Sequence, residues 1–370
     1  MVKTKLEIIS KNTQFKKFFG VTPLMAASVR VTKACNLKCS HCYANGGCPL
    51  KGELTTKEML SVVDQFANLG VLHIFYTGGE PFLRKDIVSL LQYTDKKGLG
   101  ILISTNGQLV TSEKLNQIKS LNIKLFQISL DGTKKTHTAI RGKNTYERSI
   151  KLIRTARETL GKNVAVGSVM MKNNWEEMDR VLGIAAKNGA DIFSLMLLIV
   201  SGRASESINP TPAETLKSID NIFKSYEKHR SVLKFANNTT IPAALVPKKF
   251  RRRGLHETFA LCSFPYCLGV ESNGDVAACD GFFNSPEMII GNIRESSLAE
   301  LWNNSPIMND IRKINPTDLK GVCRKCVYRD YCAGGCRASA YNKYKDLTMP
   351  DPVCQTIYEA GLFPKDCLVR

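Results

Sequence analysis

Residues 28–43 read Ser28-Val29-Arg30-Val31-Thr32-Lys33-Ala34-Cys35-Asn36-Leu37-Lys38-Cys39-Ser40-His41-Cys42-Tyr43. The first five are a β-type run, and a short loop carrying three cysteines follows at once. Downstream, similar runs alternate with helix-period runs, the pattern of βα units around a parallel sheet. Six strands are predicted, at Ser28–Thr32, Val71–Thr77, Gly100–Thr105, Lys124–Leu130, Val164–Met171 and Ile192–Val200. The helices between them are well signalled. Thr55 can cap one whose third residue, Glu58, reaches back, while Met59, Val62, Val63, Phe66 and Ala67 share a face and Gly70 ends it. The same grammar recurs at Asp86–Gly98 and Glu177–Gly189.

In parallel βα architectures the chemistry collects at the carboxyl ends of the strands. The notable residues fall there: Cys35 to Cys42 after strand one, Gly78-Gly79-Glu80-Pro81 after strand two, Thr105-Asn106-Gly107 after strand three and Asp131-Gly132 after strand four. One mouth is expected to receive them all. Beyond Gly202 the pattern changes to a helix near Thr211–Lys228, an irregular stretch with Pro242 and Pro247, and a cysteine-dense segment from Cys262 to Cys354. The expected organisation is an extension over 1–27, a barrel over 28–205, a connector over 206–255, a cysteine-rich domain over 256–358 and a tail over 359–370.

The chain has 13 cysteines, no apolar run long enough to cross a bilayer and no export signal in its first residues. A cytoplasmic location is therefore expected, and metal ligation rather than disulfide bonding. The excess of 52 Lys and Arg over 33 Asp and Glu, +19 in all, favours an acidic partner or marks a generally basic surface. The local run Lys248-Lys249-Phe250-Arg251-Arg252-Arg253 lacks the interleaved aromatics of a base-stacking platform, so nucleic acid is not expected as a partner.

Cys35-x3-Cys39-x2-Cys42 offers three thiolates from one loop. A four-iron cubane held by three ligands keeps one iron open, whereas zinc would want a fourth ligand such as His41 or Cys48. With Tyr43 after the third cysteine and Gly78-Gly79-Glu80-Pro81 after the second strand, the chain resembles the radical S-adenosylmethionine superfamily. The resemblance implies an α/β fold, a partial (β/α)6 barrel, and a [4Fe–4S] cluster on Cys35, Cys39 and Cys42. It further implies that S-adenosylmethionine chelates the open iron and is cleaved reductively to a 5′-deoxyadenosyl radical. Gly78, Gly79 and Glu80 resemble the loop that receives the methionine amino group, Ser129 the ribose-contacting serine and Arg141 the partner of the cofactor carboxylate. Ser104, Asn106 and Leu197 match further cofactor contacts.

The later cysteines read Cys262-x4-Cys267-x11-Cys279, then Cys323-x2-Cys326-x5-Cys332-x3-Cys336, then Cys354. These eight thiolates suffice for two four-iron clusters or two zinc sites. The block resembles the SPASM domain, an auxiliary-cluster module that follows such barrels. By that resemblance Cys262, Cys267, Cys279 and Cys336 ligate an inner cluster, and Cys323, Cys326, Cys332 and Cys354 an outer one, giving three [4Fe–4S] clusters in all. Asp280 resembles the position where some sulfatase-maturing relatives carry a catalytic base, although Tyr43 is followed here by Ala44 rather than a second aromatic. Cys48 and Cys367 are expected to be bystanders.

The resemblance leaves two substrate classes. One is a peptide or protein side chain, to be crosslinked, epimerised or oxidised by a maturase. The other is a tetrapyrrole, as in haem-type biosynthesis enzymes, whose Ser-Gly-Arg segment is like Ser201-Gly202-Arg203. The complete set of eight later cysteines favours the peptide. The stretch before strand one is short for a leader-peptide-binding domain, so a separate protein is expected to provide that function, and a ferredoxin or flavodoxin to donate electrons. A zinc-stabilised nucleic-acid-binding protein is the non-enzymatic alternative.

Overall fold

The computed structural model describes residues 23–236, 241–251 and 264–369. Cys262, Arg252 and Arg253 lie outside the described residues. The strands are β1 Ala26–Arg30, β2 His73–Thr77, β3 Gly100–Thr105, β4 Ile123–Ser129, β5 Val164–Met170, β6 Ile192–Leu197, β7 Lys234–Ala236, β8 Cys267–Val270, β9 Asp275–Ala277 and β10 Ile289–Asn292. They form one sheet in the order β10-β9-β8-β1-β2-β3-β4-β5-β6-β7. β1 to β6 lie side by side in chain order and all parallel, as the sequence predicts.

Helices α1 (Thr56–Asn68), α2 (Ile87–Lys96), α3 (Ser112–Ile118), α4 (Lys134–Arg141), α5 (Thr145–Leu160) and α6 (Met178–Lys187) alternate with these strands, and α7 (Pro212–His229) follows β6. Met59, Val62, Val63 and Phe66 of α1 are buried, as their shared face requires, and Thr55 with Glu58 forms the expected capping box. A continuous core runs under the sheet through Val29, Ile74, Ile101, Ile103, Phe126, Ile128, Val166 and Phe193. Covered in this way, the central strands carry near-continuous apolar runs.

The cysteine-rich segment does not stand apart from the barrel. β8 pairs in parallel with β1, Ala26 opposite Cys267 and Val29 opposite Val270, and β9 and β10 extend the same sheet antiparallel. Beyond it lie α8 (Lys248–Arg251), α9 (Leu298–Asn304), α10 (Pro306–Lys313), α11 (Arg329–Cys332), α12 (Arg337–Tyr344) and α13 (Pro352–Glu359). The tail turns back, burying Phe363 and Cys367. Among the described residues no helix is long and apolar enough to cross a membrane.

Candidate functional site

The cysteine loop is clamped from several sides. Glu53 accepts hydrogen bonds from the Thr32 hydroxyl (2.8 Å), the Lys33 amide (2.7 Å) and the Leu50 amide (3.1 Å). The Gly79 and Glu80 amides donate to the carbonyls of Thr32 and Ala34 at 2.7 and 2.8 Å. A Cβ on Gly79 would lie 2.1 Å from the Ala34 oxygen, and one on Gly78 (φ +140°) 2.3 Å from the Thr32 oxygen, so the glycines allow this backbone approach. Arg203 closes the other side, donating to the Cys39 carbonyl at 2.9 Å and the Gly46 carbonyl at 2.5 Å.

Glu80 is fully buried, and its carboxylate accepts from the Thr105 hydroxyl (2.7 Å), the Asn106 amide (2.7 Å) and the Phe82 amide (3.1 Å). It thereby ties the ends of β2 and β3 together. Asn106 reaches the cysteine loop, its Nδ2 donating to Asn36 Oδ1 at 2.9 Å and lying 3.8 Å from Cys35 Sγ. Ser104 accepts from Gln127 Nε2 at 3.1 Å, Ser129 ends β4, and Leu197 ends β6.

Arg141, the last residue of α4, turns its guanidinium toward the same loop. Its Nε donates to Asp131 Oδ2 at 2.5 Å and its Nη2 lies 3.3 Å from His41 Nε2. Burial opposes the charge on Asp131, but Arg141, His41 and His137 overcome it and hold the carboxyl at about 2. His41 and His137 are both held neutral down to about 4, chiefly by burial.

The thiols suit iron–sulfur ligation. The Leu37 amide donates to Cys35 Sγ and the Gly46 amide to Cys42 Sγ, each at 3.4 Å. Burial raises the Cys35 and Cys39 thiols, and each is also raised by the charge of neighbouring cysteines in the loop. Such a thiol group ionises when a cationic centre compensates it. Among the described residues no three His, Cys, Asp or Glu side chains converge closely enough to hold a single metal ion.

In the C-terminal segment Cys323, Cys326, Cys332 and Cys354 line one small cavity. Burial, then the nearby Cys332, pushes the Cys323 thiol up to about 12. The Tyr328 amide donates to Cys326 Sγ and the Ser339 amide to Cys336 Sγ, both at 3.4 Å. Cys267 opens β8, and Cys279 precedes Gly281, where an added Cβ would meet Ala338 of α12, which follows Cys336. The segments carrying Cys267, Cys279 and Cys336 thus meet.

A buried bridge joins the two parts. Arg30 donates to Glu271 Oε2 at 2.9 Å and to the Asp280 carbonyl at 2.7 Å. Its guanidinium sits between the Tyr43 and Phe283 rings, 5.2 and 4.8 Å from their centroids. The Tyr43 hydroxyl, kept protonated by burial and by the neighbouring carboxylate, donates to Asp280 Oδ2 at 2.6 Å. Between the ends of β5 and β6 and helices α12 and α13 lies a cavity of about 140 Å³, lined by Met170, Leu197, Leu198, Cys336 and Val353 among others.

Sequence reading singled out Arg141 but missed its partner Asp131 as a site residue, and missed Glu53. Arg203 entered only as part of a shared segment. Arg203 meets Cys39 and Gly46 from the far end of the barrel sequence, and Glu53 meets Thr32 and Lys33 from beyond the cysteine loop. Asp131 and Arg141 are near in the chain, but at no helical or strand spacing that would announce their pairing.

Comparison with known proteins agrees with this geometry. The Radical SAM superfamily matches residues 29–185, and the SPASM iron–sulfur cluster-binding domain matches residues 262–327. A protein of Methanosarcina barkeri named AdoMet-dependent heme synthase is 29% identical over 344 residues, covering 90% of this chain and 95% of its own. Mycofactocin maturase MftC of Mycobacterium tuberculosis is 26% identical over 352 residues, covering 92% and 85%. The crystal structure of Streptococcus suis SuiB bound to S-adenosylmethionine superposes with a TM-score of 0.73 at 21% identity, covering 94% of this chain and 81% of that one. The chain belongs to the radical SAM superfamily and carries a SPASM domain, an enzyme whose cofactors are [4Fe–4S] clusters and S-adenosylmethionine.

Proposed function

We propose that this enzyme abstracts hydrogen from a side chain of a peptide or protein and so acts as a maturase. The observation that carries the choice is the cavity between the barrel mouth and the Cys336 segment. At about 140 Å³ it admits one side chain, whereas sites for drug-sized and larger ligands occupy about 300–1,000 Å³. Its charged lining, Glu206, Asp351 and a Lys343 already paired with Glu206 at 3.2 Å, is ill suited to a macrocycle bearing several propionates.

When bound, the cluster on Cys35, Cys39 and Cys42 with S-adenosylmethionine supplies a 5′-deoxyadenosyl radical, and the auxiliary clusters on Cys262, Cys267, Cys279 and Cys336 and on Cys323, Cys326, Cys332 and Cys354 supply further redox centres. The chain's own residues do the positioning. Glu80 and Asn106 fix the loop ends of β2 and β3 against the cysteine loop. Arg141, braced by Asp131, offers the cofactor carboxylate a planar donor. Gly78, Gly79, Ser104, Ser129 and Leu197 complete the proposed cofactor contacts, and Asp280, oriented by Tyr43, is the assigned proton acceptor.

Similarity to the heme synthase supports a tetrapyrrole as the second reading, and the position of Arg203 supports the peptide instead. That arginine is spent on the carbonyls of Cys39 and Gly46, inside the cysteine loop rather than in the cavity. The proposed setting is cytoplasmic, with a ferredoxin or flavodoxin as electron donor and a separate leader-peptide-binding protein. The test titrates the reconstituted enzyme with a propionate-bearing tetrapyrrole and follows its absorption band. No saturable binding is expected, and side-chain-deuterated peptide substrate should pass deuterium into 5′-deoxyadenosine. Saturable tetrapyrrole binding that Val353→Trp abolishes would overturn the peptide reading.

A further inference from the structure

Within the described part of the basic run, Lys248–Arg251, the two lysines are exposed and the arginine is not. Lys249 is paired with Glu227 at 2.5 Å, and Arg251 is turned inward, its side chain 6% exposed. Cys367, expected to be a bystander, is the residue it meets. Arg251 Nη1 donates to Cys367 Sγ, and Cys367 Sγ donates to the Ala244 carbonyl at 3.6 Å. A sulfur donating to a carbonyl is a neutral thiol, so it leaves the guanidinium charge uncompensated. Asp366 Oδ1 lies at 3.5 Å on a carboxylate 39% exposed, the Tyr328 side chain is a further but uncharged partner, and Arg251 Nε has no hydrogen-bond partner among the described residues. A buried cation so poorly paired calls for an anion nearby.

The thiol cavity lies on that side. Arg251 Cζ stands 5.7 Å from the centroid of the Tyr328 ring, which lines the cavity together with Cys323, Cys326, Cys332 and Cys354. The Tyr328 amide donates to Cys326 Sγ, the Val327 amide donates to the Cys367 carbonyl at 2.9 Å, and Cys326 forms a β-bridge with Leu368. The short 3-10 turn that carries Cys367, Lys365–Cys367, is therefore fastened to the loop that carries Cys326.

We propose that Arg251, held in place by Cys367, is the counter-charge of the outer auxiliary cluster and raises its reduction potential. The inference rests on the ligand set given above. A cluster on four thiolates is anionic and gains a further negative charge on reduction, so a fixed guanidinium behind one ligand favours the reduced form. Cys367 is a positioning residue in this arrangement.

The test uses the whole chain, reconstituted anaerobically, with Cys35, Cys39 and Cys42 replaced by Ala so that the auxiliary clusters alone report. Redox titration followed by electron paramagnetic resonance should give two midpoint potentials. Arg251→Met should move one of them to a more negative value and leave the other, Arg251→Lys should restore most of the shift, and Cys367→Ser should move the same potential by less. Full iron content with both potentials unmoved in Arg251→Met overturns the proposal. Should Arg251→Met fail to load iron, Arg251→Lys decides: loading with a native potential upholds the charge, and failure equal to that of Arg251→Gln overturns it. Failure of the ligand set is a separate result, in which Cys323→Ala with Cys326→Ala leaves both auxiliary clusters in place.

Discussion

Arg141 and Asp131 show how much one buried pair has to do. Asp131 also receives the Val169 amide on Oδ1 at 2.9 Å, so its carboxylate links α4, the cysteine loop and β5. Asp131→Asn leaves a buried guanidinium unpaired and should cost about 3–5 kcal/mol in denaturant unfolding of the metal-free chain. Arg141→Lys keeps the charge but loses the planar fork, so calorimetry should find weaker S-adenosylmethionine binding with little loss of stability. Unchanged affinity would remove Arg141 from the cofactor site. His137 adds a pH signature. Its Nδ1 accepts the Asp131 amide at 3.0 Å, and its folded value of about 4 lies below the ordinary 6.5. A lowered value for a base means that the neutral form is favoured on folding. Its contribution is complete above pH 6.5 and is lost as pH falls from there toward 4. His137→Asn keeps an acceptor without the charge and should flatten the fall in melting temperature over that range. At this scale the sequence disclosed chemistry without its supports. Arg141 was legible because a motif carries it, while Glu80 as a knot between β2 and β3 required Thr105 and Asn106 to arrive from elsewhere in the chain.

Elements are legible where their determinants are local. The capping box of α1 lies within three residues, and the structure has it, the Thr55 amide donating to Glu58 Oε2 at 2.8 Å. Thr55→Ala should cost about 1 kcal/mol, seen as a lowered urea midpoint with an unchanged slope. Glu58 is also shared with Arg294, whose Nε donates to it at 2.6 Å, so Glu58→Ala should cost more than Thr55→Ala. Strand ends were less legible for a matching reason. The apolar run from Ile192 was expected to stay in the sheet to Val200, but β6 stops at Leu197, and Leu198 and Val200 remain apolar because they line the cavity. Thr32 was expected inside β1, yet its hydroxyl and carbonyl serve Glu53 and Gly79 instead of the ladder. Three- and four-residue strands such as β7 and β8 carry too little periodicity to announce themselves.

At the scale of the molecule, the continuity of the sheet makes the barrel and the cysteine-rich segment one folding problem. The cysteine count gives one separable measurement, since anaerobic reconstitution should yield about twelve irons per chain from three four-iron clusters. With Cys35, Cys39 and Cys42 all replaced by Ala, about eight should remain and 5′-deoxyadenosine formation should vanish. Persistent cofactor cleavage would sink the assignment of the first loop. The sheet itself yields the stronger claim. β1 is central because β8 pairs with it, and Arg30 on β1 is 2% exposed with its charge met by Glu271 at 2.9 Å. A chain ended after residue 251 would open the β1 edge to solvent and to other chains, and would leave Arg30 without its carboxylate. Such a fragment should lack near-ultraviolet circular dichroism or aggregate even when iron and sulfide are supplied. Arg30→Met in the full chain separates the two causes: it strands Glu271 but keeps the β1–β8 ladder, so it should lower stability by about 3–5 kcal/mol while the protein still folds and takes up iron. A fragment that folds cooperatively and binds about four irons would mean instead that the barrel is complete without the strand beside it.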